Sequence, residues 1–458
     1  MRVVTVTGQN PRTRRGTELV LLIFAIAVVL LAYANVGLAM EGSLPVDLLP
    51  IGGGFAVIAI VFHLVLRWKA AYADPTLLPI ATLLNGLGLV MIHRLDLNSS
   101  KTNGLLEGSA LRQLVWSAVA IGAAIALLFV ISDHRRLRRY TFTFGLAGIV
   151  LLMMPLLPVI GRNINGNRIW IGLGPFSFQP GEIAKLCAVV FFASYLVQTR
   201  DALSLVGKRV LGFPLPRARD LGPIIVAWLA SLAVLVFESD LGTSLLFFGL
   251  FVAMLYIATE RRSWIIIGLG MFLLGCFVAY QLFAHFQVRV QLWLDPFTEG
   301  LSDQNAKGLM GMASGGLTGT GLGKGHPEIT YFANSDFIFA SFGEELGLIG
   351  VMAILMLYGL FVERGLRTAL AARDGFGKLL ASGLAFSIAL QCFVVIGGVT
   401  RVIPLTGQTT PFLAAGGSSL LANWMLVALL LRISDQARRP MFESKDVSDE
   451  MTQAVRIR

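Results

Sequence analysis

The residues able to do chemistry in this chain stand out because most of their surroundings cannot. Pro180-Gly181-Glu182 opens an apolar run, and Lys185 follows three residues after the glutamate. In a helix that spacing puts both charges on one face. Pro180 suits a first helical turn, where its missing N–H costs nothing, and Glu182 suits the positive end of the helix dipole. The pair reads either as an ion pair snorkelling to an interface or as a polar site lining a cavity. Glu238 and Asp240 form a second group, between two short apolar runs, with Asp240 placed to cap the second run. The third group is Asp336 with Glu344 and Glu345. Asp336 is placed to cap the helix that follows. The two glutamates then lie about two to three turns in, where a charge needs a partner or a water-filled cavity.

Two further segments carry polar chemistry. Residues 399–412 contain Pro404, Thr406, Gly407, Thr409, Thr410 and Pro411, and lead into Gly416-Gly417-Ser418-Ser419. That density of proline, glycine and hydroxyl groups fits a re-entrant loop lining a polar cavity, or small residues permitting tight helix packing. The segment 285–336 is glycine-rich and carries Asp295, Glu299, Asp303, Glu328 and Asp336. Acids above a cavity suit general-base chemistry or a divalent cation; a solvated loop with scattered acids is the plainer alternative. Gly319-Thr320-Gly321-Leu322-Gly323-Lys324-Gly325 is no phosphate loop, because a glycine follows the lysine where Ser or Thr is needed. The five histidines have no zinc spacing, and Cys187, Cys276 and Cys392 have no disulfide logic.

What positions these residues follows from composition. Of 458 residues, 55% are hydrophobic and only 14% charged, too few charges to cover soluble domains. The reading is an all-α polytopic membrane protein. Apolar runs of spanning length fall near 19–40, 48–66, 76–93, 110–131, 140–160, 180–198, 222–237, 244–259, 264–284, 337–361, 376–399 and 411–432, about twelve transmembrane helices. With a cytoplasmic N-terminus, 27 basic residues fall inside and nine outside. That bias predicts both termini cytoplasmic and 285–336 as one long external loop. The run 19–40 is a span and no signal peptide. The net charge of +10 belongs to inner loops and implies no nucleic-acid partner. No internal repeat is evident, which weakens a transporter built on inverted repeats.

Several separate motifs, in order, resemble the SEDS family (RodA, FtsW, SpoVE). They are Asn165-Gly166-Asn167-Arg168-Ile169-Trp170 through Gly174, Gln179-Pro180-Gly181-Glu182 with Lys185, and Asp240-Leu241-Gly242-Thr243. Trp293-Leu294-Asp295-Pro296-Phe297, Asp336-Phe337-Ile338-Phe339-Ala340, Gly343-Glu344-Glu345-Leu346-Gly347, Pro404-Leu405-Thr406-Gly407 and Gly416-Gly417-Ser418-Ser419 continue the match. The resemblance runs from about Ala73 to Arg439 and is closer to the RodA branch. It divides the chain into an N-terminal tail with two additional spans (1–69), a ten-helix core (70–439) and a cytoplasmic tail (440–458).

The resemblance implies a peptidoglycan glycosyltransferase of the cell membrane. Such proteins polymerise lipid II at the outer face for elongation and shape, beside a class B penicillin-binding protein. It implies a catalytic carboxylate in the external loop and a divalent cation, Mg or Mn, balancing the diphosphate, with no organic cofactor. Substrate would be held by Arg168, Glu182, Lys185, Asp240, Asp336, Glu345, Thr406, Gly407, Ser418 and Ser419. The loop departs from the family pattern. A second Asp-Pro is expected after Asp295-Pro296, and here the sequence reads Phe297-Thr298-Glu299-Gly300-Leu301-Ser302-Asp303. Glu299 therefore takes the expected place of the base, with Asp303 next. Two other readings stay open: a lipid-linked precursor flippase using the same cavity, and a non-catalytic scaffold for the transpeptidase.

Overall fold

An apolar run in lipid must satisfy its backbone internally, and each described run of the chain folds as a helix. The computed structural model describes residues 13–440, apart from 99–107, 159, 165–166, 174–175, 298–302 and most of 204–239. The helices are α1 (Arg15–Met40), α2 (Gly54–Lys69), α3 (Leu77–Leu97), α4 (Ser109–Val130), α5 (Thr141–Met153) and α6 (Pro180–Leu203). They continue with α7 (Leu241–Thr259), α8 (Arg262–Leu282), α9 (Ala284–Leu294), α10 (Asp303–Gly315), α11 (Ile338–Ala371), α12 (Gly375–Val399) and α13 (Gly417–Arg438). Among the described residues, eleven helical stretches are long and apolar enough to cross a membrane. The expected span 222–237 lies largely outside the described residues. Helices α3, α6, α12 and α13 form the buried centre, and α5 and α8 show most of their surface to the surroundings.

The first and last helices of the described chain meet at residues 73 and 74. Arg15, at the start of α1, donates to the Ala73 carbonyl, and Arg438, at the end of α13, pairs with Asp74. The described chain thus begins and finishes at one end of the bundle. His134 Nε2 reaches Asp374 at 3.1 Å at that end, and Asp374 caps α12 through the Gly377 N–H at 2.8 Å. Arg135 also donates to Asp374 at 3.2 Å.

Helices α1 and α2 pack on the core rather than hanging beside it. At one end Glu18 is fully buried between Arg15 and His63, with His63 Nδ1 at 2.7 Å. At the other, Tyr33 donates to Asp47 at 2.9 Å and stacks on His93 of α3 at 4.2 Å.

The segment 285–336 is largely built. It holds α9 and α10, and a glycine-rich stretch lies against α11. Gly347 interrupts α11 with φ 65° and ψ −169°. Leu348 and Ile349 N–H then donate to the carbonyls of Gly316 and Leu317, while Thr320 and Gly321 N–H donate back to those of Glu344 and Glu345. Backbone groups freed by the break are satisfied by that stretch. A Cβ at Gly347 would stand 2.2 Å from the Gly319 nitrogen, so only glycine allows the approach. Asp336 does not cap α11, contrary to expectation. Phe337 holds the cap position and makes no side-chain cap bond.

The sequence reading contained no strands, and two small sheets are present. The larger is a three-stranded antiparallel sheet of β1 (Gly161–Ile164), β2 (Asn167–Leu173) and β3 (Phe176–Phe178), with Arg162 opposite Trp170 and Ile171 opposite Phe178. Alternation along β2 fits this: Ile169 and Ile171 are buried, while Arg168 is exposed and Trp170 half-buried.

Candidate functional site

Two helix starts and one irregular segment build the site. Pro180 begins α6, so Glu182 and Lys185 lie in its first turns. Lys185 Nζ donates to Glu182 Oε2 at 2.8 Å and to Gln391 Oε1 of α12 at 2.5 Å, with both charged side chains nearly inaccessible. The other side of the Gln391 amide donates to the Thr409 carbonyl at 3.0 Å. An ion pair taken out of water survives when such bonds satisfy its remaining groups.

Asp240 caps α7, as expected. Its carboxylate accepts from the Thr243 N–H at 3.0 Å and the Thr243 hydroxyl at 2.6 Å. Gln408 Nε2 lies 3.1 Å from both Asp240 oxygens. A Cβ on Gly242 would come within 2.2 Å of Gln408 Cγ, so the glycine makes room for the amide. Glu182, Lys185, Thr243 and Gln408 line one small cavity. The starts of α6 and α7 are therefore joined through residues 408–409.

Asp336 and Arg289 lie near enough to Asp240 to feel its charge. Arg289 of α9 donates to the Thr406 carbonyl at 3.2 Å. The Asp336 carboxylate lies 3.9 Å from where a Cβ on Gly407 would be, and Gly407 has φ +73°. Burial pushes the Asp336 carboxyl up, the Asp240 charge adds to it, and Arg289 only partly offsets them; the result is about 7. The hydroxyls of Thr406, Thr409 and Thr410 are buried without a hydrogen-bond partner among the described residues. The irregular segment thus carries unused polar capacity near Lys185, Arg289 and the three acids Glu182, Asp240 and Asp336.

Other expected site residues lie apart. Glu345 is fully buried and ion-paired with Arg94 of α3; its second oxygen accepts from the Gly323 N–H at 3.0 Å. Arg94 also pairs with Glu328 at 2.7 Å and donates to the Gly325 carbonyl. Glu344 accepts from the His326 N–H at 2.6 Å. These contacts pin the glycine-rich stretch to α11. Ser418 and Ser419 are buried at the start of α13, where Ser419 accepts from Asn423 at 3.3 Å. No described hydrogen bond joins them to Lys185 or Asp240. Arg168 is exposed on β2. Glu299 lies outside the described residues. Asp303 opens α10, and its side chain is not described.

Sequence reasoning passed over Arg94, Arg289 and Gln391. Gln391 had a signal, an amide in the middle of an apolar run. Arg94 and Arg289 had none beyond their charge, because their partners lie far away in sequence. Among the described residues no group of three or more His, Cys, Asp or Glu side chains could hold a metal ion. The oxygens of Asp240 are already engaged by Thr243 and Gln408. The described donors around Asp240 do not by themselves form a divalent-cation site.

Comparison with known proteins agrees with the site. The family model described as "Cell cycle protein", covering FtsW, RodA and SpoVE, matches residues 75–439. The peptidoglycan glycosyltransferase RodA of Mycobacterium tuberculosis is 49% identical over 441 residues, 96% of this chain and 94% of its own. The stage V sporulation protein E of Bacillus subtilis is 33% identical over 379 residues, 81% of this chain and 99% of its own. Among solved structures, a chain of a peptidoglycan synthase complex that coordinates polymerization and crosslinking aligns with TM-score 0.62 and 27% identity. It covers 81% of this chain and 99% of its own. The rod shape determining protein RodA of Thermus thermophilus aligns with TM-score 0.54 and 26% identity, over 81% and 98%. A family match over residues 75–439 and 49% identity to a RodA over 96% of the chain show that the chain belongs to the FtsW/RodA/SpoVE family, on its RodA branch.

Proposed function

We propose that this chain is a peptidoglycan glycosyltransferase that polymerises lipid II at the outer face of the cell membrane. The observation that carries the reading is the joined cluster of Glu182, Lys185, Gln391, Asp240 and Gln408, buried within a bundle whose relatives bear that name. An acceptor sugar hydroxyl attacks the anomeric carbon of the lipid-linked glycan. The new C–O bond forms as the bond to the diphosphate oxygen breaks. The hydroxyl proton passes to a carboxylate, and the lipid diphosphate leaves with the electron pair. Lys185 and Arg289 are the cations we propose to offset that negative charge. A divalent cation, Mg or Mn, would accompany the substrate diphosphate as its counter-ion and supply charge neutralisation there, with no described residue assigned to hold it.

Glu299 is the proposed base, ahead of Asp303. Both follow Asp295-Pro296 in the sequence: Glu299 falls between α9 and α10, and Asp303 is the first residue of α10. The basic-residue bias supports cytoplasmic termini, and this places that segment outside. The partner is a class B penicillin-binding protein, as the similarity to a chain of a synthase complex supports.

The test is the purified protein with lipid II and Mg or Mn, with and without that partner, read as glycan strands on a gel. Strands are expected, and Glu299→Gln should lower their rate by about 10²–10⁴-fold if chemistry limits it. If Asp303→Asn is dead and Glu299→Gln is not, the base is Asp303. Wild type without strands in the presence of the partner overturns the reading. Lipid II translocation without strands would then indicate the flippase, and transpeptidase binding alone the scaffold.

A further inference from the structure

Arg401 occupies a position where glycine is the usual residue. It follows the last turn of α12, just beyond the cap residue Thr400, and its φ is +64°. The left-handed conformation after a helix end is costly for any residue with a Cβ, and glycine commonly fills it. An arginine is therefore a local disadvantage there, and its side chain has a use that offsets it. Nε donates to the Trp293 carbonyl at 2.7 Å and Nη2 to the Leu294 carbonyl at 2.5 Å. Both carbonyls belong to the last turn of α9, where no further helix N–H is available. A guanidinium there also meets the negative end of the helix dipole. In return, the Trp293 indole N–H donates to the Arg401 carbonyl at 3.0 Å.

The contact continues toward the site. Arg289 lies four residues before Trp293, on the same face of α9, and donates to the Leu405 and Thr406 carbonyls. One face of α9 is thereby stitched along residues 401–406. The next residues are Gly407, beside Asp336, and Gln408, bound to Asp240. Arg289 is near enough to feel the charges of Asp240 and Asp336.

We propose that Arg401 is a positioning residue for glycosyl transfer: by clasping the end of α9 it holds Arg289 over the Asp240–Asp336 acids. The inference rests on the glycosyltransferase reading. Arg401 touches no reacting atom in this account. Its effect is to keep the cation of α9 in register with the irregular segment.

Arg401→Gly separates this role from simple stability. Glycine relieves the left-handed backbone and removes the clasp. The melting temperature should stay level or rise, while kcat falls about 10–100-fold, as small misplacements in a site do, with KM for lipid II little changed. Arg401→Lys should not rescue, since an ammonium lacks the planar fork of donors and keeps the strained backbone. Hydrogen exchange of peptides covering 284–295 should quicken in Arg401→Gly, whether or not the preparation polymerises. A variant with wild-type kcat overturns the proposal. So does one that loses melting temperature in step with activity, which would make Arg401 a stability element. If wild type itself makes no strands, the functional reading fails; unchanged exchange in α9 then overturns the clasp separately.

Discussion

Lys185 binds Glu182 one turn before it at 2.8 Å, and the same ammonium reaches Gln391 on another helix. The pair is local in sequence, but its third member is 206 residues away. It closes the gap between α6 and α12, and through Gln391 it holds the Thr409 carbonyl. Removing one charge should therefore cost more than a surface pair would. Lys185→Met leaves Glu182 buried without a counter-charge and should destabilise by about 3–5 kcal/mol. The double variant Glu182→Gln/Lys185→Met should lose less than the two single losses added together. Denaturation in detergent would show it, and a Lys185→Met protein as stable as wild type would remove the argument.

Arg94 fixes the glycine-rich stretch by a different logic. One guanidinium serves Glu345, Glu328 and the Gly325 carbonyl. Arg94→Ala should release that stretch, and trypsin should then cut after the exposed Lys324 at least about tenfold faster, equivalent to about 1.4 kcal/mol of local opening. Arg94→Lys keeps the charge but cannot make all the contacts, so it should fall between. Equal cleavage rates in wild type and Arg94→Ala would show that backbone bonds to α11 suffice.

What the sequence made legible was local. Pro180 as a helix start, Asp240 as a cap and the Glu182–Lys185 spacing each depend on a few adjacent residues, and each appears as read. The apolar runs located the described spans because lipid imposes length and composition on a helix. Arg94 was illegible because its partners are 231 to 251 residues away, and only packing brings them to it. The break at Gly347 was hidden for a similar reason. Its glycine looks like any other until another stretch of backbone arrives to fill the gap. Asp336 misled because an acid before a helix is usually a cap, whereas here it faces Gly407 and the charge of Arg289.

The N-terminal helices precede the family-matched region, which begins at residue 75, yet they hold it at both ends. Deleting residues 1–69 removes the Arg15 contact to Ala73 and the Tyr33–Asp47–His93 group. It also removes Ala39 and Met40, each 3.1 Å from a Cβ built on Gly323. The truncated protein should show lower folding yield and melting temperature, with turnover per folded molecule reduced less. Asp47→Ala should give a milder version of the same loss. A truncation that folds at wild-type yield but forms no strands would instead put these helices in the site.

Asp336 gives the site a pH dependence whose sign can be worked out. Its ordinary value is 3.8, and burial together with the Asp240 charge raises it to about 7 in the folded protein. Between about pH 4 and 7 the unfolded chain gives up this proton while the folded chain keeps it. The unfolded state then binds fewer protons, so this group's contribution falls as pH rises, and the fall is complete above about 7. Asp336→Asn cannot ionise and escapes the penalty. The stability of Asp336→Asn minus that of wild type should therefore grow from pH 5 to about 7 and stay flat from there to 8. The growth should be on the order of a few kcal/mol, since each pKa unit corresponds to about 1.36 kcal/mol. Arg289→Gln should enlarge the penalty in wild type, because the cation that partly offsets it is gone. In the rate, wild type should show an ionisation near pH 7 that Asp336→Asn lacks. A difference in stability that stays constant, or shrinks, between pH 5 and 7 would mean that Asp336 is ionised throughout. The close approach of its carboxylate to Gly407 would then reflect a charge held by Arg289.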